Sequence, residues 1–143
     1  VIVTTIHKIL GKRLLDSFGN IFINLHYSYL PAYKGLIGMR PVDLAVKLKA
    51  AFIGTTCHFV DEDVDSGEII TQGIICLNTT KDIYNKVFEC GAITLLGSIQ
   101  KLFSAEMKDK IEYDGIILSP FPKHININDL SKLFVKFHES KEL

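Results

Sequence analysis

The sequence has no excess of either charge, no long apolar run and no cluster of cysteines. Sixteen Lys and Arg balance sixteen Asp and Glu, so no basic surface indicates binding to nucleic acid. No apolar run approaches the roughly 18 residues of a membrane-spanning helix. The three cysteines, Cys57, Cys76 and Cys90, form no Cys-x-x-Cys pair, which argues against a zinc site or a disulfide framework. These absences favour a cytoplasmic protein that binds neither nucleic acid nor membranes.

What the chain does contain favours an α/β domain. Its 143 residues are 48% hydrophobic, with short runs of Val, Ile and Leu that are typical of buried strands. Val1-Ile2-Val3 has the composition of such a strand already under way. We therefore expect the chain to be incomplete at its N terminus. An uncovered sheet edge at Val1–Val3 would favour a homodimer.

Hydrophobic spacing and turn signals predict the order of the elements. Helices are expected over 10–18, over 41–49 with Val42, Ala45 and Leu48 buried, and from 81 to about 104 with Thr79 or Thr80 as the cap. Strands are expected over 21–23, 51–60, 68–77 and 111–118. A final amphipathic helix is predicted to begin at Asn128, with Leu130, Leu133, Phe134 and Phe137 on one face.

The polar residues of greatest interest follow the second strand. Residues i and i+2 of an extended segment share a face, so Asn24 and His26 are expected to point the same way. They lie at the carboxyl end of that strand, where open α/β sheets bind ligands. Asp65 follows in an acidic turn over 61–67. An amide, an imidazole and a carboxylate are groups that acyl transfer to an amine can use.

These residues carry a resemblance to a known family. Asn24-Leu25-His26 with Ser28, Leu30-Pro31 and Gly35 resembles one motif of the folate-dependent formyltransferases. His58-Phe59-Val60, then Asp65-x-Gly67 and Ile69-Ile70-x-Gln72, resembles the second motif at a compatible spacing. The resemblance is to phosphoribosylglycinamide formyltransferases and related enzymes, including sugar N-formyltransferases and formyltetrahydrofolate deformylases.

The resemblance implies a fold and a domain arrangement. The fold is Rossmann-like α/β, with a mostly parallel central sheet and flanking helices, and with the N-terminal part of the domain missing. Residues 1–118 would be the C-terminal portion of the catalytic domain. Residues 119–143 would be a loop and an amphipathic helix packed on the same domain.

The resemblance also implies the reaction. A formyl group would pass from 10-formyltetrahydrofolate to a primary amine, glycinamide ribonucleotide or a related small molecule. Asn24 and a protonated His26 would stabilise the developing oxyanion. Asp65 would keep His26 charged and relay a proton from the amine to the leaving folate nitrogen.

A folate pocket follows from the same resemblance. For His58 two roles remain open, support of the loop behind the reacting residues and simple core packing. No metal ion is implied. The residues expected to bind the folate are Lys8, Ile9, Leu10, Phe22, Val60 and Asp61.

Several functions remain open at this point. Phe88-Glu89-Cys90-Gly91 departs from the pattern of glycinamide ribonucleotide enzymes, which makes a nucleotide-linked amino sugar an alternative acceptor. Water in place of the amine would make the protein a formyltetrahydrofolate deformylase. His26, His58 and Asp65 also suit a metal-dependent hydrolase in residue type. Finally, a truncated chain would be a non-catalytic fragment of a formyltransferase.

Overall fold

The fold is built on a six-stranded sheet with one long helix across its face. The computed structural model describes residues 2–4, 9–19, 21–103 and 106–122. The helices are α1 (Lys12–Phe18), α2 (Arg40–Lys47) and α3 (Ile83–Phe103). The sheet strands are β1 (Ile2–Thr4), β2 (Phe22–His26), β3 (Phe52–Phe59), β4 (Ile69–Cys76), β6 (Ile111–Tyr113) and β7 (Ile116–Ser119). Two short strands, β5 (Met107–Lys108) and β8 (Phe121–Pro122), form a separate pair.

The sheet order is β1-β2-β3-β4-β7-β6, and its strand directions are mixed. Only β1 and β2 run parallel, while β2–β3, β3–β4, β4–β7 and β6–β7 are antiparallel pairs. The α/β class is confirmed, but the predicted predominance of parallel pairs is wrong for the described residues. Short connections account for two of the four antiparallel pairs: the turn over 60–68 joins β3 to β4, and a two-residue turn joins β6 to β7, whereas a parallel pair needs a crossover.

Helix α3 packs on the face of the sheet formed by β3 and β4. Gly73 on β4 allows the close approach, because a Cβ added there would lie 2.5 Å from Cys90 Sγ on the helix. The core between the helix and the sheet consists of buried aliphatic and thiol side chains, most of them less than 2% exposed: Val42, Ala45, Ile53, Ile75, Val87, Cys90, Ile93, Ile116 and Leu118.

The predicted end of α2 was wrong by two residues. The helix ends at Lys47, and Lys49 adopts a left-handed backbone with φ 53°. The chain therefore leaves the helix before Leu48 can extend the buried face formed by Val42 and Ala45. Val42 and Ala45 are buried as predicted, whereas Leu48 is 62% exposed.

The predicted cap of α3 was also wrong. Thr80 donates its hydroxyl to the carbonyl of Cys76 at 2.7 Å and so belongs to the preceding turn. Asp82 instead precedes the helix, and its carboxylate accepts the backbone N–H of Asn85 at 3.3 Å. A carboxylate at this position also interacts favourably with the helix dipole.

The predicted strand over 111–118 is a hairpin. Asp114 and Gly115, with φ 44° and 76°, turn the chain between β6 and β7. The helix predicted from Asn128 lies outside the described residues. Within the described ranges, no helix combines the length and the apolar character needed to cross a membrane.

Candidate active site

The predicted site residues of β2 lie on one face of the sheet, in register with residues of β3. Asn24 pairs with His58, and His26 pairs with Thr56. Cross-strand partners point to the same side of an antiparallel pair. Two adjacent rows of polar side chains thus cross from β2 to β3, on the face opposite α3.

The turn between β3 and β4 brings Asp65 to these rows. Its Oδ2 lies 3.4 Å from His26 Nδ1, and its Oδ1 lies 3.7 Å from His58 Nε2. The backbone N–H of Gly35 donates to Oδ2 at 2.9 Å. The side chain of Asp65 is only 9% exposed, so the carboxylate lies enclosed between two imidazoles.

Gly67 makes this placement of the turn possible. A Cβ added at Gly67 would lie 1.8 Å from the carbonyl oxygen of Phe59. The turn therefore lies directly against the end of β3, at a distance that a larger residue would not allow. This explains in physical terms why glycine follows Asp65 by two residues.

The Asp65 carboxyl is ionised at neutral pH. Burial by itself raises its pKa, but the neighbouring His58, the backbone N–H of Gly35 and the imidazole of His26 act in the opposite direction. Together they hold the pKa of Asp65 below its ordinary value.

His26 differs from the expectation of a charged imidazole. Burial lowers the pKa of His26 and outweighs both Asp65 and the backbone of Tyr33, which raise it. The ring is therefore neutral at neutral pH. Because an ionised carboxylate only accepts, the proton of the neutral ring is favoured on Nδ1, facing Asp65. Nε2 is buried and has no hydrogen-bond partner among the described residues.

His58 supports Asn24. Its Nδ1 lies 2.7 Å from the carbonyl of Phe59, which places the ring proton on Nδ1. Nε2 is then an acceptor for the Asn24 amide, whose Nδ2 lies 3.4 Å away. This contact places the Nδ2 end of the Asn24 amide against His58. His58 is 3% exposed and contacts Asn24 and Asp65, while its predicted role in supporting the loop stays a prediction.

A cavity of about 660 Å³ opens beside these side chains. Asn24, His26, His58 and Asp65 all line it. Among the residues predicted to bind folate, Ile9, Leu10, Val60 and Asp61 also line the cavity. Phe22 is not among the lining residues: it is 7% exposed and its ring packs edge-to-face on Phe18. Lys8 lies outside the described residues.

Sequence reasoning assigned no role to three contributors to the site. Gly35 supplies a backbone donor to Asp65, while Thr56 and Gln72 hydrogen-bond to the loop after His26. Gln72 was part of the second motif, and Thr56 shares a strand face with His58, so alternation along β3 was the available signal. In the described part of the chain, no group of three His, Cys, Asp or Glu side chains is arranged to hold a metal ion.

The family model described as formyl transferase matches residues 1–99. A formyltetrahydrofolate deformylase from Haemophilus influenzae is 36% identical over 73 residues, which cover 51% of this chain and 25% of that protein. A phosphoribosylglycinamide formyltransferase from Bacillus subtilis is 38% identical over 68 residues, covering 48% of this chain and 33% of that protein.

Solved structures show the same similarity. The crystal structure of phosphoribosylglycinamide formyltransferase from Bacillus halodurans superposes with a TM-score of 0.56 at 27% identity. The match covers 68% of this chain and 50% of that one. The matched parts thus amount to between a quarter and a half of these relatives.

Proposed function

The chain belongs to the formyl transferase family, and we propose that it transfers the formyl group of 10-formyltetrahydrofolate to a primary amine. The observation that carries this proposal is the ionised Asp65, enclosed between His26 and His58 beside the Asn24 amide. Moving a formyl group between two nitrogens requires a donor for the developing oxyanion and a path for one proton. This arrangement offers both on the wall of one cavity.

In the proposed reaction, Asn24 donates a hydrogen bond to the formyl oxygen. The contact with His58 Nε2 uses one N–H of the amide, and the second N–H remains for the substrate. The amine nitrogen forms a bond to the formyl carbon, and the bond from that carbon to the folate nitrogen breaks. A donor of this kind typically contributes about 10²–10³ in rate.

His26 handles the proton in this proposal. Its neutral ring carries a hydrogen on Nδ1 toward Asp65, so Nε2, which no described residue contacts by a hydrogen bond, is a base. Nε2 takes the proton from the attacking amine, and Asp65 stabilises the imidazolium that forms. The same proton then passes to the leaving folate nitrogen, which balances the transfer.

The cavity is suited to a folate donor in size and lining. Its volume of about 660 Å³ lies within the range of ligand pockets, about 300–1,000 Å³. Ile9, Leu10 and Val60 supply apolar contacts, and Asp61 adds a carboxylate acceptor to the lining. The expected role of 10-formyltetrahydrofolate is to bring the formyl group to Asn24 and His26.

A second candidate is hydrolysis of the same donor to formate. It is favoured by the similarity to proteins named formyltetrahydrofolate deformylase, among them that of Haemophilus influenzae. The chemistry at Asn24, His26 and Asp65 would be the same, with water replacing the amine. Glycinamide ribonucleotide and a nucleotide-linked amino sugar are the two acceptor classes to compare with it.

Product analysis distinguishes these reactions. The protein is incubated with 10-formyltetrahydrofolate alone, with glycinamide ribonucleotide, and with amino sugars linked to a nucleotide. Formyl transfer predicts one formylated amine for each tetrahydrofolate formed, and little formate. Formate without any formylated amine would establish the deformylase instead. Absence of tetrahydrofolate in every reaction would contradict both.

The cytoplasmic location and the homodimer remain predictions. The cytoplasmic location was inferred from the cysteines, all three of which are free thiols in the structure. A homodimer was inferred from the edge at β1, where Ile2 is 47% exposed. Sedimentation of the purified chain would measure its oligomeric state.

A further inference from the structure

His26 belongs to a row of three side chains that crosses β2, β3 and β4. His26 pairs with Thr56, and Thr56 pairs with Gln72. Thr56 is fully buried, and Gln72 is partly buried. Thr56 and Gln72 make hydrogen bonds that have no part in the proposed reaction.

The Thr56 hydroxyl is saturated with hydrogen bonds to the loop that follows His26. It donates to the carbonyl of Ser28 at 2.8 Å and accepts the backbone N–H of Leu30 at 3.0 Å. It also accepts Gln72 Nε2 at 3.0 Å. One donor and two acceptor sites are the full capacity of a hydroxyl.

Gln72 holds the same loop at a second point. Its Nε2 donates to the carbonyl of Leu30 at 3.0 Å as well as to Thr56. Both backbone groups of Leu30 are therefore bonded to side chains from the sheet. Leu30 itself is only 5% exposed, so water cannot easily replace these partners.

The far end of this loop touches the reacting residues. The backbone of Tyr33 lies beside the imidazole and raises the pKa of His26. Two residues later, the N–H of Gly35 donates to Asp65 at 2.9 Å. Ser28 Oγ donates to the carbonyl of Ala32 at 2.5 Å, which links the anchored start of the loop to this end.

We propose that Thr56 and Gln72 are positioning residues, which set the places of His26 and Asp65 by fixing the loop from Ser28 to Gly35. The inference rests on the proposed function for its kinetic consequence. Small displacements of reacting groups are costly, because a shift of about 1 Å lowers rates by about a hundredfold. Neither residue contacts the substrate in this account.

The chain contains a matched control for Thr56. Thr55 is the same residue type on the same strand and is also fully buried. Its hydroxyl lies 2.8 Å from Thr94 Oγ1 and 3.3 Å from Cys90 Sγ, on the α3 side of the sheet. Thr55→Val therefore removes a buried hydroxyl without touching the loop, whereas Thr56→Val frees Ser28 and Leu30.

The kinetic test compares Thr56→Val, Thr56→Ser, Gln72→Leu and Thr55→Val. We expect Thr56→Val to lower kcat by about tenfold to a hundredfold with little change in the KM for 10-formyltetrahydrofolate. Gln72→Leu should have a smaller effect in the same direction, because Thr56 still holds Leu30. Thr56→Ser should keep kcat near the wild-type value, since the serine hydroxyl can make the same hydrogen bonds. Equal kcat for Thr56→Val and Thr55→Val would overturn the proposal.

A second measurement does not depend on turnover. The amide proton of Gly35 donates to Asp65, so its NMR chemical shift should follow the ionisation of that carboxyl as pH is lowered. We expect this titration to weaken in Thr56→Val and to persist in Thr55→Val and Thr56→Ser. If the wild-type chain shows no turnover, the proposed function fails while this titration still decides the positioning role. An unchanged Gly35 titration in Thr56→Val would overturn that role.

Discussion

The two faces of β3 use the same kinds of side chain for different purposes. Thr56 and His58 point toward the cavity side, whereas Thr55 and Cys57 point toward α3. All four are buried. On the α3 side, the Thr55 hydroxyl bonds to Thr94 and to the Cys90 thiol. On the cavity side, the row of His26 leaves one ring nitrogen without a partner among the described residues.

Polar side chains on the α3 side of the sheet stabilise the fold, whereas those on the cavity side are available for the proposed chemistry. Polar groups that find their partners inside the molecule, as Thr55, Thr94 and Cys90 do, hold the helix against the sheet. Burial raises the pKa of Cys90 to about 11, so its thiol remains protonated at neutral pH. A buried polar atom such as His26 Nε2, which has no partner in the described part of the chain, is a candidate for contact with a substrate.

The largest expected effect comes from removing Asn24, and it should fall on activity alone. Asn24→Ala deletes the proposed oxyanion donor, which should lower kcat by about 10²–10³. Its contact with His58 is long, at 3.4 Å, so the free energy of unfolding should change little. Steady-state kinetics and urea denaturation of the same preparation would measure both quantities.

Ile23, the neighbour of Asn24 in sequence, is expected to affect stability and not activity. Ile23 is fully buried with Cys57 and Ile70 on the other side of the strand. Ile23→Val should lower the free energy of unfolding by about 0.5–1.5 kcal/mol and leave kcat near wild type. A loss of kcat in Ile23→Val comparable with that in Asn24→Ala would show that the two faces are not separable.

A smaller effect, on stability, is expected on the α3 side. Gly73→Ala places a Cβ 2.5 Å from Cys90 Sγ and 2.8 Å from Thr94 Oγ1, so α3 must shift. We expect a loss of about 1–3 kcal/mol in the free energy of unfolding, measured by thermal or urea denaturation. Gly11→Ser is the control, because no atom lies within 4 Å of its added Cβ and serine suits the N-cap of α1, which Gly11 occupies. Equal stability of the two variants would contradict the close packing described for α3.

The smallest expected effect is a pH dependence of stability that arises on the cavity side. The pKa of His26 is lowered from 6.5 in the folded protein, so below that pH the unfolded chain binds more protons. The free energy of unfolding should therefore decrease as pH falls below about 6.5, and the lowered pKa of Asp65 should add a further loss below about 3.8. Urea denaturation between pH 8 and pH 5 would measure the first loss. In His26→Asn that loss should diminish; an unchanged slope would assign it to another group.

The sequence predicted the placement of Asn24, His26 and Asp65 better than the sheet around them. Asn24 and His26 share a face because strand alternation requires it, and the spacing of two motifs indicated Asp65. The antiparallel pairing of β2 with β3 was missed, because alternation along a strand does not specify the direction of its neighbour. The protonation state of His26 was also missed, since it depends on burial that only the folded chain creates.

The supporting residues were harder to predict for a related reason. Thr56 and Gln72 contact Ser28 and Leu30 across 28 and 42 residues of sequence. No local pattern links a threonine to a loop so distant in the chain. Register supplies the link, because Thr56 faces both His26 and Gln72 once the three strands are paired.

The measurement that tests the central claim most directly is the turnover of 10-formyltetrahydrofolate by Asp65→Asn and by Glu62→Gln. Both variants remove one negative charge from the same acidic turn, but Glu62 is exposed and pairs with Lys12. We predict that Asp65→Asn lowers kcat by at least about a hundredfold while Glu62→Gln remains within about threefold of wild type. An Asp65→Asn variant that keeps the wild-type rate would contradict the assignment of the enclosed carboxylate to formyl transfer.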